Sequence, residues 1–416
     1  MRIIANFAAS NHGVQAYYDC PVWETKNFTD TMMTRLQLFL TLALFLCSVP
    51  SQAQTRHPAR FKQMARSKQS EWFAGVEARQ AADSAMRYQY PCGGWAKNHD
   101  WHVLENEGKM KERGEILRQV ARGESLGATI DNGATTHEMM LLAKVYAAGC
   151  QDKQLKKKVL KGYRDAFVRG VGYLLEAQYD NGGWPQFYPL KPLDNEGHPF
   201  YSNHITFNDD AMHNVLVLLR EIYEERQPYD ALHLEPALLE RVRQAFDKGI
   251  ACILDCQIRK DGKLTVWCQQ HDEVTLAPAP ARAYELASFT GSHETASLLE
   301  LLMSLPQPSD RVIEAVTAAV EWLKAHALQD VELRTFTNAE GKTDRRLVHK
   351  FGHQTWARYY DLQTEEPYVC DRDGKPQPSL EYIGYERRNG YGWYGDMPAH
   401  IIKNYPKWLK KVRPQD

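Results

Sequence analysis

The sequence predicts an all-α fold, a toroid-like (α/α) partial barrel of helical hairpins with long irregular loops and a few short strands. The first supporting observation is an internal repeat: Arg164-Asp-Ala-Phe-Val-Arg-Gly-Val-Gly-Tyr-Leu-Leu-Glu-Ala-Gln178 aligns without gaps to Arg243-Gln-Ala-Phe-Asp-Lys-Gly-Ile-Ala-Cys-Ile-Leu-Asp-Cys-Gln257. The second is that apolar residues in both copies recur three and four apart, the spacing of an amphipathic helix. The third is that helices of another kind lie between the copies, at intervals of about 75–80 residues, the alternation expected of stacked hairpins. A linear solenoid satisfies the same pattern, but few copies with long variable loops suit a ring better.

The elements follow in order. Each repeat helix ends at a Gln followed by a Gly-containing turn, Tyr179-Asp-Asn-Gly-Gly-Trp184 in one case and Ile258-Arg-Lys-Asp-Gly-Lys-Leu-Thr-Val-Trp267 in the other. An earlier copy of the turn is visible in Tyr88-Gln-Tyr-Pro-Cys-Gly-Gly-Trp95. Among the helices between them, Thr135-Thr136-His137-Glu138 fits a capping box ahead of Met139, Met140, Leu142, Val145 and Tyr146. Asn208-Asp209-Asp210 precedes Met212, Val215, Leu216, Leu218 and Leu219, and Pro278-Ala-Pro280 opens a helix ending near Gly291. The region 330–396, rich in Tyr, Gly and Arg, reads as irregular with short strands.

Domain organisation is simple. Residues 1–32 read as a mistranslated upstream extension. Residues 33–53 read as a secretory signal peptide: Thr34-Arg35, an apolar run Leu36–Leu46, then a small-x-Ala exit with cleavage after Ala53. Leu46 before Cys47 suits a lipoprotein box poorly. Residues 54–416 read as a single domain, expected to be secreted or periplasmic with no membrane span in the mature form. It keeps Cys92, Cys150, Cys252, Cys256, Cys268 and Cys370, read as mostly buried thiols.

Composition excludes some classes of function. With 51 basic and 52 acidic side chains the chain lacks the basic excess of a nucleic-acid protein. His137-Glu138-Met-Met-Leu141 has Leu where a zinc site needs the second His, and no Gly-rich nucleotide loop follows a strand. What remains is a set of polar residues at helix starts. Asp131, Asp209 and Arg282, spaced by 78 and 73, are expected at equivalent N-terminal ends and so on one rim of the ring. Capping explains an Asp at a helix start equally well. A cation in a first turn opposes the helix dipole, so Arg282 points to a paired or ligand-facing role.

Thr129-Ile-Asp-Asn-Gly-Ala-Thr-Thr-His137, Asn181-Gly-Gly-Trp-Pro-Gln-Phe-Tyr-Pro189, Ile205-Thr-Phe-Asn-Asp-Asp-Ala-Met212, and Trp267-Cys-Gln-Gln-His-Asp272 with Ala281-Arg-Ala-Tyr-Glu285 resemble the family 10 polysaccharide lyases, secreted pectate lyases with a toroid-like fold. The likeness runs in order from about residue 60 to the C-terminus. It implies β-elimination on polygalacturonate with Ca2+ as cofactor. On that basis Asp131, Asp209 and Asp210 would hold calcium, with Asp131 also at the catalytic centre. Arg282 would remove the proton at C5 of the sugar ring. Arg358, Arg372, Asn132, Trp184, Tyr188 and His271 would bind substrate, and the segment 190–200 looks variable.

The chemistry is coherent. Removing the proton alpha to a carboxylate puts a second negative charge beside the first, and a metal on that carboxylate stabilises it. Calcium takes six to eight oxygens, so two or three aspartates plus substrate can complete its shell. Arginine is ordinarily a cation, so burial would have to lower its proton affinity, and an alkaline optimum follows. Two alternatives stay open. One is an inverting glycoside hydrolase using Asp131 with Asp209 or Asp210, and the other a polysaccharide-binding protein using Trp184, Tyr188, Tyr391, Trp393 and Tyr394. The enzyme is expected to be a monomer.

Overall fold

The computed structural model describes residues 65–66, 70–97, 127–191 and 200–413. The extension, the signal peptide with Cys47, and residues 192–199 of the variable segment lie outside the described residues. All described residues belong to one compact unit, Arg56–Asp416. Its helices in chain order are α1 Ser70–Ala74, α2 Val76–Arg87, α3 Thr136–Gly149, α4 Lys157–Ala177, α5 Ala211–Tyr223, α6 Pro236–Cys256, α7 His293–Met303, α8 Asp310–Ala325, α9 Tyr385–Gly390 and α10 Met397–Val412.

Three antiparallel hairpins carry the architecture: α3 with α4, α5 with α6, and α7 with α8. The shorter helices α3, α5 and α7 touch one another in turn on the inside, and α2, α4, α6 and α8 do so on the outside. Helix α10 packs on α7 and α8. The repeat dictates this layering. Ala166, Phe167, Gly170, Leu174 and Ala177 of α4 are buried, as are their partners in the alignment, Ala245, Phe246, Gly249, Ile253 and Cys256 of α6. One stripe at helical spacing therefore faces the inner layer in both copies.

The turns after the outer helices explain the shared Gln and Trp. Trp95, Trp184, Trp267 and Trp356 are all fully buried. Their indole N–H groups donate back to the carbonyls of Ala85, Leu174, Ile253 and Leu323, near the ends of α2, α4, α6 and α8, at 2.6–2.7 Å. Gln89, Gln178 and Gln257 each donate once within their own turn and once to the next outer helix, at Ala166, Ala245 and Ala315 respectively, at 2.8–2.9 Å. The Gly-Gly pair allows this approach. A Cβ on Gly93 would lie 2.2 Å from the Arg169 carbonyl oxygen, and one on Gly182 would lie 2.1 Å from that of Lys248. Both glycines also have positive φ, which L side chains rarely adopt.

The expectation of an all-α fold is corrected. About 49 % of the described residues are helical and 17 % are in strands, so the fold is mixed α/β. About half of the strand residues form a long antiparallel hairpin, β8 Leu328–Thr337 with β9 Thr343–Ala357, where irregular chain with only short strands was expected. Strand β10 (Tyr359–Asp361) pairs with both β7 (Ser288–Thr290) and β11 (Pro367–Cys370), and β13 (Tyr394–Gly395) pairs with the end of β9. Two further expectations fail. No helix runs from Pro278 to Gly291: Ala279 N–H pairs with Gln270, and Ala281 and Glu285 close a tight turn on each other and on Arg282. Thr135 forms no capping box, because its hydroxyl donates to the Thr129 carbonyl and accepts from the Trp95 N–H. Among the described residues no helix is long and apolar enough to cross a membrane.

Candidate active site

Each inner helix is entered in the same way. The N–H groups of Thr129, Thr206 and Thr290 donate to the carbonyls of Trp95, Trp184 and Trp267, at 2.9, 3.0 and 2.8 Å. The threonines lie on the short strands β1 (Ala128–Thr129), β3 (Ile205–Thr206) and β7. Two residues after the first two threonines comes a one-turn 3-10 helix, Asp131–Gly133 and then Asn208–Asp210. The two turns lie against each other and carry left-handed residues at the same place, Asn132 with φ 55° and Asp209 with φ 50°. Asp131 therefore corresponds to Asn208, and Asn132 to Asp209. In the third repeat that place falls to Ser292 and His293, the cap and first residue of α7. Arg282 belongs to the preceding loop, so the equivalence inferred from the 78 and 73 spacings is corrected by one residue for Asp209 and by an element for Arg282.

Asp131 is the most informative side chain. It is only 2 % exposed, and its Oδ2 is paired with the Lys97 ammonium. Its Oδ1 is buried with no hydrogen-bond partner. Burial pushes its pKa up, the nearby Asp209 charge adds to this, and Lys97 and Arg282 oppose it. Asp209 accepts from Arg358 at 3.2 Å and from the Asn208 amide at 2.9 Å. Two carboxylates from adjacent hairpins thus face one another with an ammonium and a guanidinium alongside.

Asp210 turns elsewhere. It pairs with His293 at 2.8 Å and lines a cavity of about 330 Å³ between the inner helices, together with His213 and Glu300. His293 is pushed up to about 9 by that bond to Asp210. Among the described residues, three His, Cys, Asp or Glu ligand atoms lie within 4.8 Å of one another only at His204, Asp272 and Glu273, which includes none of the expected calcium aspartates.

Arg282 is gripped by Glu285. Its Nε donates to Oε2 at 2.7 Å, its Nη2 pairs with Oε1, and Glu285 is 1 % exposed. Burial alone would lower the proton affinity of Arg282, but the Glu285 carboxylate leaves it raised above the ordinary arginine value. Burial by itself therefore does not give Arg282 the lowered proton affinity expected of it, because Glu285 stands against the guanidinium. The guanidinium also lies 4.9 Å from the Tyr284 ring, whose surroundings include Arg387 at 4.3 Å and Arg372 at 5.5 Å. Arg372 is mostly exposed and bonds Glu386 at 3.2 Å. Arg358 is buried, giving its Nε and Nη2 to Glu294, Asn208 and Asp209 and stacking 4.6 Å from the Tyr391 ring.

Two expected substrate contacts are corrected. Trp184 is fully buried under its turn and presents no face to a sugar. His271 is also fully buried: Nδ1–H donates to the Leu276 carbonyl at 2.8 Å, and Nε2 accepts from the Cys268 N–H at 3.1 Å. Burial drops its pKa to about 4, so it is a neutral structural residue. Tyr188 is part-exposed on β2 (Phe187–Tyr188), which pairs with β1, and its hydroxyl bonds Glu176 at 2.9 Å. Sequence reasoning missed Lys97, Glu294 and Arg387. Lys97 stands two residues after the recognised Trp95 turn, and Glu294 stands where the third repeat matches Asp210. Lys97 and Glu294 had a positional signal in the repeat but none in residue type, and Arg387, in α9, lies outside the repeat and had neither.

Opposed carboxylates beside buried and half-buried arginines, ahead of the inner helices of successive hairpins, suit an enzyme that handles a polyanionic substrate by charge stabilisation. Comparison with known proteins is specific. The profile of a family described as pectic acid lyase matches residues 89–402. The chain belongs to the pectic acid lyase family and is a polysaccharide lyase. Among solved structures it is similar to a family 10 polysaccharide lyase from Cellvibrio cellulosa, at 34 % identity and a TM-score of 0.66 over 85 % of this chain and 96 % of that one. It is equally similar to an alanine mutant of a family 10 polysaccharide lyase from Cellvibrio cellulosa in complex with trigalacturonic acid, again at 34 % identity and 0.66, over 85 % and 97 %. No curated protein matches.

Proposed function

We propose that this pectate lyase cleaves polygalacturonate by calcium-dependent β-elimination, leaving 4,5-unsaturated oligogalacturonides, with Arg282 taking the C5 proton. The observation that carries the reading is the free Oδ1 of Asp131, a buried carboxylate oxygen with no partner, set in a site shared by Asp209 and Arg282. Such an oxygen fits a hard cation that takes oxygen ligands. Asp131 and Asp209 would hold the ion, and Asp210, committed to His293, would not. When bound, calcium supplies Lewis-acid stabilisation of the charge that develops beside the uronate carboxylate. The trisaccharide bound by the similar Cellvibrio enzyme supports an oligogalacturonide as substrate.

The rest falls to the chain itself. Lys97 holds the second oxygen of Asp131 and keeps that carboxylate from turning away. Arg372 is exposed enough to meet a neighbouring uronate, for which a guanidinium fork is well shaped. Arg282 starts as a cation, so the neutral fraction that can accept a proton grows with pH, and turnover should rise on the alkaline side. Export after cleavage at Ala53 and action as a monomer belong to the same proposal; N-terminal sequencing of the secreted protein and light scattering test them.

The deciding assay follows ultraviolet absorbance with polygalacturonate, in calcium and in excess chelator. Absorbance that rises in calcium and stops with chelator is the expected result. New reducing ends without absorbance would mean hydrolysis. Arg282→Lys should lose about 100-fold or more in kcat with substrate binding kept; a rate near that of the parent enzyme would mean that another group is the base.

A further inference from the structure

We propose that Glu285 is the positioning residue for Arg282: it grips the Nε–Nη2 edge so that Nη1 is the nitrogen offered to the sugar, and the Tyr391 hydroxyl fixes where Glu285 stands. The inference deepens the reading of Arg282 as the base and rests on it. Both Glu285 oxygens are engaged. Oε2 accepts from Arg282 Nε at 2.7 Å and from its backbone N–H at 3.4 Å, while Oε1 pairs with Nη2 and accepts from Tyr391 at 2.7 Å. A carboxylate three residues from its arginine, almost wholly buried and bonded to both main chain and side chain, fixes the guanidinium plane. A bidentate fork of this kind adds geometry as well as energy.

The orientation has a chemical consequence. With Nε and one N–H of Nη2 held by Glu285, Nη1 is the terminal nitrogen with no partner among the described residues and the one most open to substrate. The Tyr391 hydroxyl is in turn 2.7 Å from that of Tyr359, and the Tyr391 ring is stacked by Arg358, which holds Asp209. A continuous set of contacts therefore joins the proposed base to one of the proposed metal-holding carboxylates. The charged and titratable groups facing this unit are Glu285, Tyr284, Tyr391 and Asp131 about Arg282, with Arg372 and Arg387 across the Tyr284 ring and Tyr359 behind Tyr391.

The test uses kcat and KM on oligogalacturonates across pH. Glu285→Gln removes the charge that keeps Arg282 protonated, so the alkaline limb of kcat should move to lower pH by about 1–3 units. Its maximal kcat should fall about 100-fold from lost orientation, with KM within about 3-fold. Tyr391→Phe should move the limb the other way, because a carboxylate relieved of one donor binds the guanidinium more strongly. Glu285→Asp keeps the charge, so its limb should stay in place while kcat falls. A merely structural role would lower kcat or stability in all three without moving either limb, and that result would overturn the inference. So would an effect confined to KM. If Glu285→Gln does not fold, the direction of the Tyr391→Phe shift decides. An active Arg282→Lys enzyme would instead remove the base reading itself, and is distinguishable because it needs no Glu285 variant.

Discussion

At the residue scale, the site is a set of charges whose surroundings decide their roles. Asp131 and His271 were both expected to serve the reaction, and burial sends them in opposite directions. Asp131 keeps an unpartnered oxygen, whereas both His271 ring nitrogens are used internally. For His271 the folded pKa of about 4 lies below the usual histidine value, so the protonated form is penalised only in the folded state. The folded state is therefore free of this penalty above pH ~6.5, and loses stability as pH falls from there towards 4, by at most about 3 kcal/mol. Urea unfolding from pH 8 to pH 4 should show this loss, and His271→Gln should flatten it. An unchanged slope in that variant would assign acid sensitivity to other groups. Asp131 and Asp209 were legible because they stand in ordered polar strings at helix starts. His271 stands in an equally polar string, Trp267–Asp272, and only packing separates a ligand from a satisfied core histidine.

At the element scale, the outer helices were legible and the segments between them much less so. The Arg164–Gln178 and Arg243–Gln257 copies share the residues that pack, since Ala, Phe, Gly and Gln occupy the same stripe in each. The loop around Arg282 was misread because prolines at 278 and 280 resemble a helix start. The chain there instead spends its backbone groups on Gln270 and on a tight turn. The β8–β9 hairpin did carry a signal, Leu-Arg-Thr-Phe-Thr followed by Asn338 to Gly341, but aromatic and basic richness masked it. The Gln–Trp turns make a prediction at this scale. Gln257→Leu keeps the bulk but removes the donors to Thr265 and Ala315, and should destabilise the fold by about 1–3 kcal/mol. Thermal melting reads the loss, and KM measured well below the melting temperature should not move. A large rise in KM would mean that the turn contributes to the groove directly.

At the scale of the whole molecule, the inner rim depends on contacts that no single hairpin supplies. Arg358, between β9 and β10, reaches Asn208 and Asp209 ahead of α5 and Glu294 in the first turn of α7. It is 5 % exposed and Glu294 1 %, so their charges are compensated by each other rather than by water. Taking one partner from a buried pair leaves an unpaired charge, a loss of about 3–5 kcal/mol, whereas an exposed pair is worth about 1 kcal/mol or less. Arg358 and Arg372, expected from sequence to share the task of gripping uronates, should therefore part company. Arg358→Ala should lower thermal stability markedly and kcat with it, because Asp209 loses its anchor. Arg372→Ala, whose guanidinium is mostly exposed against Glu386, should leave stability nearly unchanged and raise KM for oligogalacturonates. Paired melting curves and kinetics on the two variants separate these outcomes. Equal stability in both would mean that Arg358 is replaceable by solvent and that its role is to meet substrate.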